Sequence, residues 1–273
     1  MGKLLRADLF RAFRCKIFYI LLALNAVVAV FAVGNQIPWA AVDPNVNAFS
    51  VLLEGFGGGV AFLGILNAVL VSVFVGHEYG CGALRNKVMT GGGRTRIYLS
   101  KLIVCCAMCA AVYAVYHLVN FLLGSAVFGW QGVSFSEVIL AFAAGLCMSL
   151  ASCAILTGIS MLSKNIVVSL LVGVLGTIVV LVCVMWLLGE LQGSYVQDPL
   201  DPEDAILVPC NWPAWLQTAV RWLLRLIPTG QSVLLASGTL AAGEYGALIA
   251  LSCAWLALSA VLGPLLFRRI DLK

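Results

Sequence analysis

Four polar side chains recur on one helical face near the middle of the chain, inside a strongly apolar segment. Their offsets of three, four and seven residues bring them side by side along a helix. The four are Tyr113, Tyr116, His117 and Asn120. Polar groups at membrane depth face other protein or a water-filled path. The stripe therefore predicts hydrogen bonds between helices, with the lining of a substrate path as the functional alternative.

The sequence does not favour a metal site or a nucleotide-binding site. Cys105 and Cys109 extend the stripe, but Cys109 and His117 lie about 12 Å apart along a helix that rises 1.5 Å per residue, too far for one metal ion. His77 opens no zinc motif, because the residue four positions later is Cys81. The nucleotide-binding sequence G-x-x-x-x-G-K-S/T is absent. We therefore predict no catalytic residue, no metal and no cofactor bound by this chain.

Composition indicates that the surroundings of the chain are lipid. Of its 273 residues, 62% are hydrophobic and only 10% are charged, whereas a soluble domain carries about 25% charged residues. A water-soluble protein of this length has too much surface to hide so many apolar side chains. The net charge of +4 does not indicate nucleic acid, because the basic residues fall in short patches between apolar runs.

Six uncharged apolar runs are each long enough to cross a bilayer, which takes about 20 residues. They are roughly 17–34, 57–76, 102–123, 138–162, 166–189 and 246–267. Small residues at four-residue spacing in the fourth run, from Ala141 to Thr157, predict close packing against another helix. The expected fold class is an all-α bundle of six transmembrane helices.

The distribution of charge predicts an orientation. Of 16 Lys and Arg, 14 lie before span 1, between spans 2 and 3, between spans 4 and 5, or after span 6. Because basic loops stay in the cytoplasm, both termini are expected there and residues 190–245 are expected outside. The basic start lacks the apolar core and cleavage site of a secretory signal, so we expect span 1 to be retained.

Two amphipathic segments are too short to span. Near the start, Leu5, Leu9 and Phe13 share one side, which predicts a helix along the inner leaflet. Between spans 5 and 6, segment 213–227 combines apolar and basic positions at helical spacing, which predicts a helix in the outer interface. Its characteristic residues are Trp215, Arg221, Trp222 and Arg225.

The ten cysteines do not predict disulfides. Nine of them lie in apolar runs or basic segments, and Cys210 is alone in a long acidic loop. Since an exposed lone cysteine has no partner within the chain, we predict free thiols.

The cytoplasmic segment between spans 2 and 3, residues 77–101, is the most informative stretch. Glu78 stands one or two residues beyond the span, and Gly91, Gly92 and Gly93 permit a sharp reversal. Its basic side chains suit a partner's acids, although a basic loop that only sets topology has the same composition. The selected residues are Glu78, Tyr79, Leu84, Arg85, Lys87, Arg94, Arg96 and Lys101.

The order of residues in this segment resembles ABC-2-type permeases. The matching pieces are EY at 78–79, LRNK at 84–87, a Gly-rich turn and YLSK at 98–101, and the ending FRRIDLK is similar too. Cys81 departs from the Thr or Ser that is commoner there. In that family the segment holds a short coupling helix that docks on an ATPase subunit. The resemblance implies one transmembrane domain over the whole chain, and a separate ABC ATPase that binds ATP and Mg.

The resemblance also implies a function. The chain would pair as a homodimer, or as a heterodimer with a similar permease, in a bacterial plasma membrane. It would export a peptide, a lipid or a hydrophobic drug-like molecule. Two other classes stay open: a membrane enzyme or processing factor that uses His117, and a secondary carrier, although the spans hold no acid. Membrane lipids are expected partners, and nucleic acid is not.

Overall fold

The computed structural model describes residues 2–40, 42, 46–56, 60–130, 134–197, 205–208, 210–237 and 243–269. Six helices there are long and apolar enough to cross a membrane. They are α2 (Lys16–Ala40), α4 (Val60–Gly80), α6 (Arg94–Val127), α7 (Phe135–Ser163), α8 (Ile166–Gln192) and α11 (Glu244–Arg268). The prediction of an all-α fold with six membrane-spanning helices is confirmed.

Five shorter helices also lie in the described ranges. They are α1 (Gly2–Arg14), α3 (Ala48–Glu54), α5 (Ala83–Met89), α9 (Ala214–Leu226) and α10 (Pro228–Ala236). Two of them, α1 and α9, coincide with the amphipathic segments of the sequence. Their placement at the membrane interfaces, like the side on which the termini lie, stays a prediction.

Helix α6 extends well beyond its apolar run. Its 34 residues span about 51 Å along the helix axis, whereas the hydrocarbon core of a bilayer is about 30 Å thick. The extension adds Arg94 to Lys101 at the amino end of the helix, so this part of segment 77–101 is helical. Helix α4 likewise continues through Glu78 to Gly80.

Local capping chemistry begins two of the helices. Asn47 caps α3, since its Oδ1 accepts the backbone N–H groups of Phe49 and Ser50 at 3.0 and 2.9 Å. Ser50 Oγ accepts the N–H of Asn47 in return, at 2.9 Å. Asn165 caps α8 by accepting a backbone N–H two residues further on, at 2.9 Å.

The interior of the bundle lies around α4, α6 and α7. Half or more of the apolar window of each of these helices is buried, whereas only 11% of that of α8 is. Helix α4 packs on α7 and α8, α6 packs on α2 and α7, and α7 also packs on α11. The exposed side chains of α8 are mostly Val, Leu and Ile, which is the surface that a lipid-facing helix presents.

Two glycines permit close approach between helices. A Cβ at Gly145 of α7 would overlap the ring of Phe56 and the hydroxyl group of Tyr113, and a Cβ at Gly263 of α11 would overlap the ring of Tyr98. Gly145 belongs to the small-residue face that the sequence indicated in span 4. Close packing at that face is therefore what the structure shows.

The segment between α8 and α9 contains a feature that the sequence did not indicate. Strands β1 (Ser194–Gln197) and β2 (Ala205–Val208) pair antiparallel, with Ser194 opposite Val208 and Gln197 opposite Ala205. Helix α9 follows and packs Val220 and Leu224 against Val184 of α8. All ten cysteines are free thiols, as predicted.

Gly263→Ala should destabilise the bundle, because the added methyl group would displace the fully buried ring of Tyr98. Overpacking of this kind costs about 1–3 kcal/mol, so the thermal midpoint in detergent should fall by several degrees. Gly246→Ala on the same helix is the matched control, since a Cβ there meets nothing within 4 Å. Equal midpoints for the two variants would contradict the packing described here.

Candidate functional site

Two acids and two lysines from four different helices meet in a buried cluster, and three of the four belong to segment 77–101. Lys101 Nζ donates to Asp8 Oδ1 at 2.7 Å and to Glu78 Oε1 at 2.6 Å. Lys87 Nζ contacts the same two oxygens, both at 2.7 Å. Asp8 comes from α1, Glu78 from α4, Lys87 from α5 and Lys101 from α6. We call these four residues the ion cluster.

Three neighbours complete the surroundings of the ion cluster. Ser100 Oγ donates to the second oxygen of Asp8 at 2.8 Å. Arg11 of α1 pairs with Glu78. The ring of Phe74 lies beneath two cations, 4.8 Å from Lys101 Nζ and 5.7 Å from the Arg11 guanidinium carbon, which is favourable cation–π geometry.

Burial makes the members of the ion cluster depend on one another. Asp8, Glu78 and Lys101 are each at most 1% exposed, and water cannot replace a partner that is lost. Removing one member of a buried pair typically costs about 3–5 kcal/mol, because the remaining charge is left without compensation. The ion cluster therefore fixes α1, α4, α5 and α6 relative to one another at this end of the bundle.

The pKa of the Asp8 carboxyl follows from this environment. Burial raises that pKa, but the charge of Lys101 and the hydrogen bonds from Lys101, Lys87 and Ser100 outweigh it. The pKa therefore lies below its ordinary value of 3.8. Asp8 is ionised throughout the physiological range and stabilises the folded state there.

Further contacts hold the ends of segment 77–101. Tyr79 Oη donates to the carbonyl of Met161 in α7 at 2.5 Å, and Leu84 of α5 is 1% exposed. Arg94 donates to the carbonyl of Arg268 in α11 at 2.6 Å. Arg268 Nε donates in return to Thr95 Oγ1 at 3.1 Å. Both ends of the segment are thus bonded to the spans around them.

The opposite face of α5 points away from the bundle. Arg85, Asn86 and Thr90 are exposed, and the Met89 side chain is 68% exposed. Arg96 is exposed on the first turn of α6. Arg85, Asn86, Met89 and Arg96 together are called the α5 ridge below. It combines two basic groups, an amide and one apolar side chain.

The structure thus divides the eight selected residues into three groups. Tyr79 and Arg94 are partly exposed and are bonded to α7 and α11. Glu78, Leu84 and Lys101 are buried, and Lys87 is mostly buried, so these residues hold the segment in place. Arg85 and Arg96 remain exposed. Their role toward a partner stays a prediction.

Sequence reasoning missed Asp8 and Arg11 as members of the site. The signal was present, because Asp8 is the single acid in an otherwise basic amphipathic helix. The position of Asp8 in the sequence is equally compatible with a carboxylate exposed to solvent and with one paired to a basic side chain. Only the packing of α1 on α6 reveals that its partners lie more than 70 residues away.

The stripe on α6 is fully buried. Tyr113, Tyr116, His117 and Asn120 are each at most 4% exposed. Tyr113 Oη donates to the carbonyl of Phe142 in α7 at 2.9 Å, which is the predicted kind of hydrogen bond between helices. The stripe therefore contributes to packing in this conformation.

His117 lies among aromatic rings. Its ring stacks on Phe56 with centroids 4.4 Å apart, and Tyr113, Tyr116 and Phe142 lie at 4.2, 5.1 and 5.8 Å. Neither ring nitrogen has a hydrogen-bond partner among the described residues. Among those residues no acid or nucleophile is bonded to His117, so the geometry offers it no catalytic partner.

Next to the stripe, a cavity of about 430 Å³ lies between α2, α3, α4 and α6. Its lining includes Phe31, Gln36, Glu54, Phe62 and Tyr116. Gln36 donates to the Glu54 carboxylate. Tyr116 is the member of the stripe that reaches this space.

Three of the four residues selected on α9 are exposed, and Arg225 is partly buried. Trp215 and Trp222 are 71% and 62% exposed, and Arg221 is exposed. Arg225 pairs with Glu244 at the start of α11 and lies over the Trp222 ring. Exposed tryptophans beside basic residues suit a membrane interface.

The described part of the chain contains no group of three or more His, Cys, Asp and Glu that could hold a metal ion. Cys81 and His77 come close, with Sγ and Nδ1 3.6 Å apart, but two ligands do not make a site. The absence of a metal stays a prediction for the chain as a whole.

Asp8→Asn should lower the free energy of unfolding by about 3 kcal/mol at neutral pH, because Lys87 and Lys101 would then share one carboxylate. Thermal unfolding in detergent measures the loss. Arg6→Gln is the control, since Arg6 is an exposed charge on the same helix. A loss no larger than that of the control would show that the ion cluster is not stabilising.

The effect of Asp8→Asn should also depend on pH. The stabilisation by Asp8 is present above its ordinary pKa and is lost as the pH falls through the lower pKa of the folded state. The difference in thermal midpoint between wild type and variant should therefore be largest near pH 7 and shrink below about pH 4. A difference that grows with acidity would contradict the assigned charge state.

The comparison with protein families agrees with this architecture. The family model for ABC-2 family transporter proteins matches residues 4–180, which include α1, the ion cluster and the stripe. No curated protein matches the chain. A family match over well more than half of the chain identifies the fold and its general role. The chain belongs to the ABC-2 transporter family and is a membrane permease of an ABC transporter.

Proposed function

We propose that this permease forms the substrate pathway of an ATP-driven exporter whose ATP and Mg are bound by a separate ABC ATPase subunit. The observation that carries the proposal is the α5 ridge. A short helix is fixed to the bundle on one face by Leu84 and Lys87 and displays Arg85 and Met89 on the other. A basic and partly apolar ridge suits a groove that has acidic and apolar walls.

The ion cluster supplies a means of transmitting movement from that ridge. A force on α5 reaches Lys87, which is bonded to acids on both α1 and α4. Lys101 bonds to the same acids from α6. Because packed interiors shift between discrete arrangements rather than deforming continuously, a displaced α5 would move these helices together.

The proposed pathway includes the stripe on α6. Tyr116 reaches the 430 Å³ cavity between α2, α3, α4 and α6. The two ring nitrogens of His117 and the amide nitrogen of Asn120 have no partner among the described residues. Such groups would find partners if the helices separate during transport, and this supports the stripe as part of the path.

The proposed assembly places two permeases with two ATPase subunits in a bacterial plasma membrane. The second permease would be an identical or a similar chain. Large apolar side chains exposed along α2, α8 and α11 offer surface for it and for lipid. The candidate cargoes are peptides, lipids and hydrophobic drug-like molecules. Export rather than import rests on the resemblance alone.

Charge reversal on the α5 ridge tests the docking proposal. A candidate ABC ATPase from the same genome should be co-expressed with the permease and purified with it in mild detergent. Arg85→Glu and Met89→Asp should each reduce the ATPase recovered at least tenfold, because they place negative charge on a surface proposed to meet acidic and apolar groups. The thermal midpoint of the permease should not change, since both side chains are exposed.

Arg6→Glu is the matched control, an equally large charge reversal at an exposed position of α1. Full recovery of the ATPase with both ridge variants would overturn docking through α5. Glu78→Ala is unsuited to this test. It removes a buried carboxylate that faces Arg11, Lys87 and Lys101 and should lower stability, as Asp8→Asn does.

A further inference from the structure

We infer that a second cavity, between α4, α7, α8 and α10, binds an uncharged and mostly apolar molecule that carries one hydrogen-bond donor. The cavity measures about 260 Å³ and lies inside a single chain. It is separate from the stripe and from the cavity that Tyr116 reaches. We call it the α8 cavity.

The lining of the α8 cavity is unsuited to ions. No Asp, Glu, Lys, Arg or His is among the described residues that line it, and aliphatic side chains such as Leu63, Ile155 and Val172 form most of the wall. A charged ligand would lose its hydration there with nothing to compensate. At roughly 30 Å³ per molecule of liquid water, the volume suits a short hydrocarbon segment rather than a large molecule.

One polar side chain in this wall has an oxygen that accepts no hydrogen bond from the described residues. Asn67 of α4 is 1% exposed and lines the cavity. Its Nδ2 donates to Ser149 Oγ of α7 at 3.4 Å. Its Oδ1 meets no hydrogen-bond donor among the described residues. Thr177, the neighbouring polar residue of α8, donates its hydroxyl to the carbonyl of Gly173 at 2.7 Å, so it does not serve Asn67.

A buried amide oxygen without a donor is unfavourable, and a ligand that supplies an O–H or N–H group would remove that penalty. The same oxygen cannot bind a group that has only acceptors. The α8 cavity should therefore distinguish an alcohol from its methyl ether, which has nearly the same size and apolar surface. This preference is the chemical signature of the site.

The position of the α8 cavity indicates entry from the membrane. Val172 and Val180 line it and are 49% and 36% exposed. Between them Gly176 has no side chain, and a Cβ there would meet nothing within 4 Å. Since α8 is an apolar helix with most of its surface exposed, the gap at Gly176 opens toward lipid.

Hydroxyl-bearing hydrocarbons dissolved in a bilayer match these requirements. Two sources share that chemistry, a membrane lipid with a free hydroxyl group and a single-chain amphiphile from outside the cell. Binding at the α8 cavity does not depend on the transport proposal. The further statement that the bound molecule is the exported cargo rests on the proposed function.

Photolabelling of the purified permease in phosphatidylcholine vesicles tests the inference without ATP or an ATPase. The probe is hexadecanol with a diazirine in its chain, and its methyl ether is the comparison. The alcohol should label peptides of α4, α7 and α8 at least fivefold more than the ether. Asn67→Leu, which keeps the size of the side chain, should abolish that preference.

Gly176→Phe provides a second, steric variant. Its side chain has room beside the cavity and should reduce labelling by both probes at least fivefold. Gly189→Phe is the control on the same helix, because Gly189 also has open space but does not line the cavity. Equal labelling by the two probes in the wild type, or labelling that survives Gly176→Phe, would overturn the inference.

Unlabelled competitors identify the source of the ligand. Competition by diacylglycerol as strong as that by hexadecanol would assign the site to a membrane lipid, and competition by hexadecanol alone would assign it to a single-chain amphiphile. If the permease binds the probe and every ridge variant still retains the ATPase, the inference about the α8 cavity stands and the docking proposal is overturned. The two proposals can therefore fail separately.

Discussion

The bonds of Lys101 to Asp8 and Glu78 are the interaction on which this end of the molecule depends. Three charges that are almost completely buried can persist only because each neutralises another at hydrogen-bond distance. Lys87 joins the same two oxygens. Four helices must therefore come together at once, and a protein that loses one of these contacts weakens the others.

That constraint explains the form of the surface above it. A helix as short as α5 is not stable by itself, so its seven residues depend on the bundle for their position. Leu84 and Lys87 supply the attachment, and the remaining face is free to carry Arg85 and Met89. Buried and exposed residues of one segment thus make different contacts, and the proposed docking can be tested apart from the stability of the segment.

The interior of the bundle combines close packing with polar groups that lack hydrogen-bond partners. Gly145 and Gly263 allow rings to approach the helix backbone, which gives dense contacts around α6. Within that packing, the ring nitrogens of His117 and the side-chain oxygen of Asn67 have no partner among the described residues. Such groups are rare in native proteins, and the substrate path and the ligand site proposed above rest on them.

The sequence by itself determined the six spans, the amphipathic helices and the family, because span length, helical period and motif order are local properties. It also separated the stripe of Tyr113, Tyr116, His117 and Asn120 from ordinary apolar surface. Tertiary structure decided which basic residues are buried and which are exposed, since the sequence alone does not distinguish an exposed lysine from a buried one. The partners of Asp8 lie 79 to 93 residues away, and only the packing of α1 on α6 could reveal them.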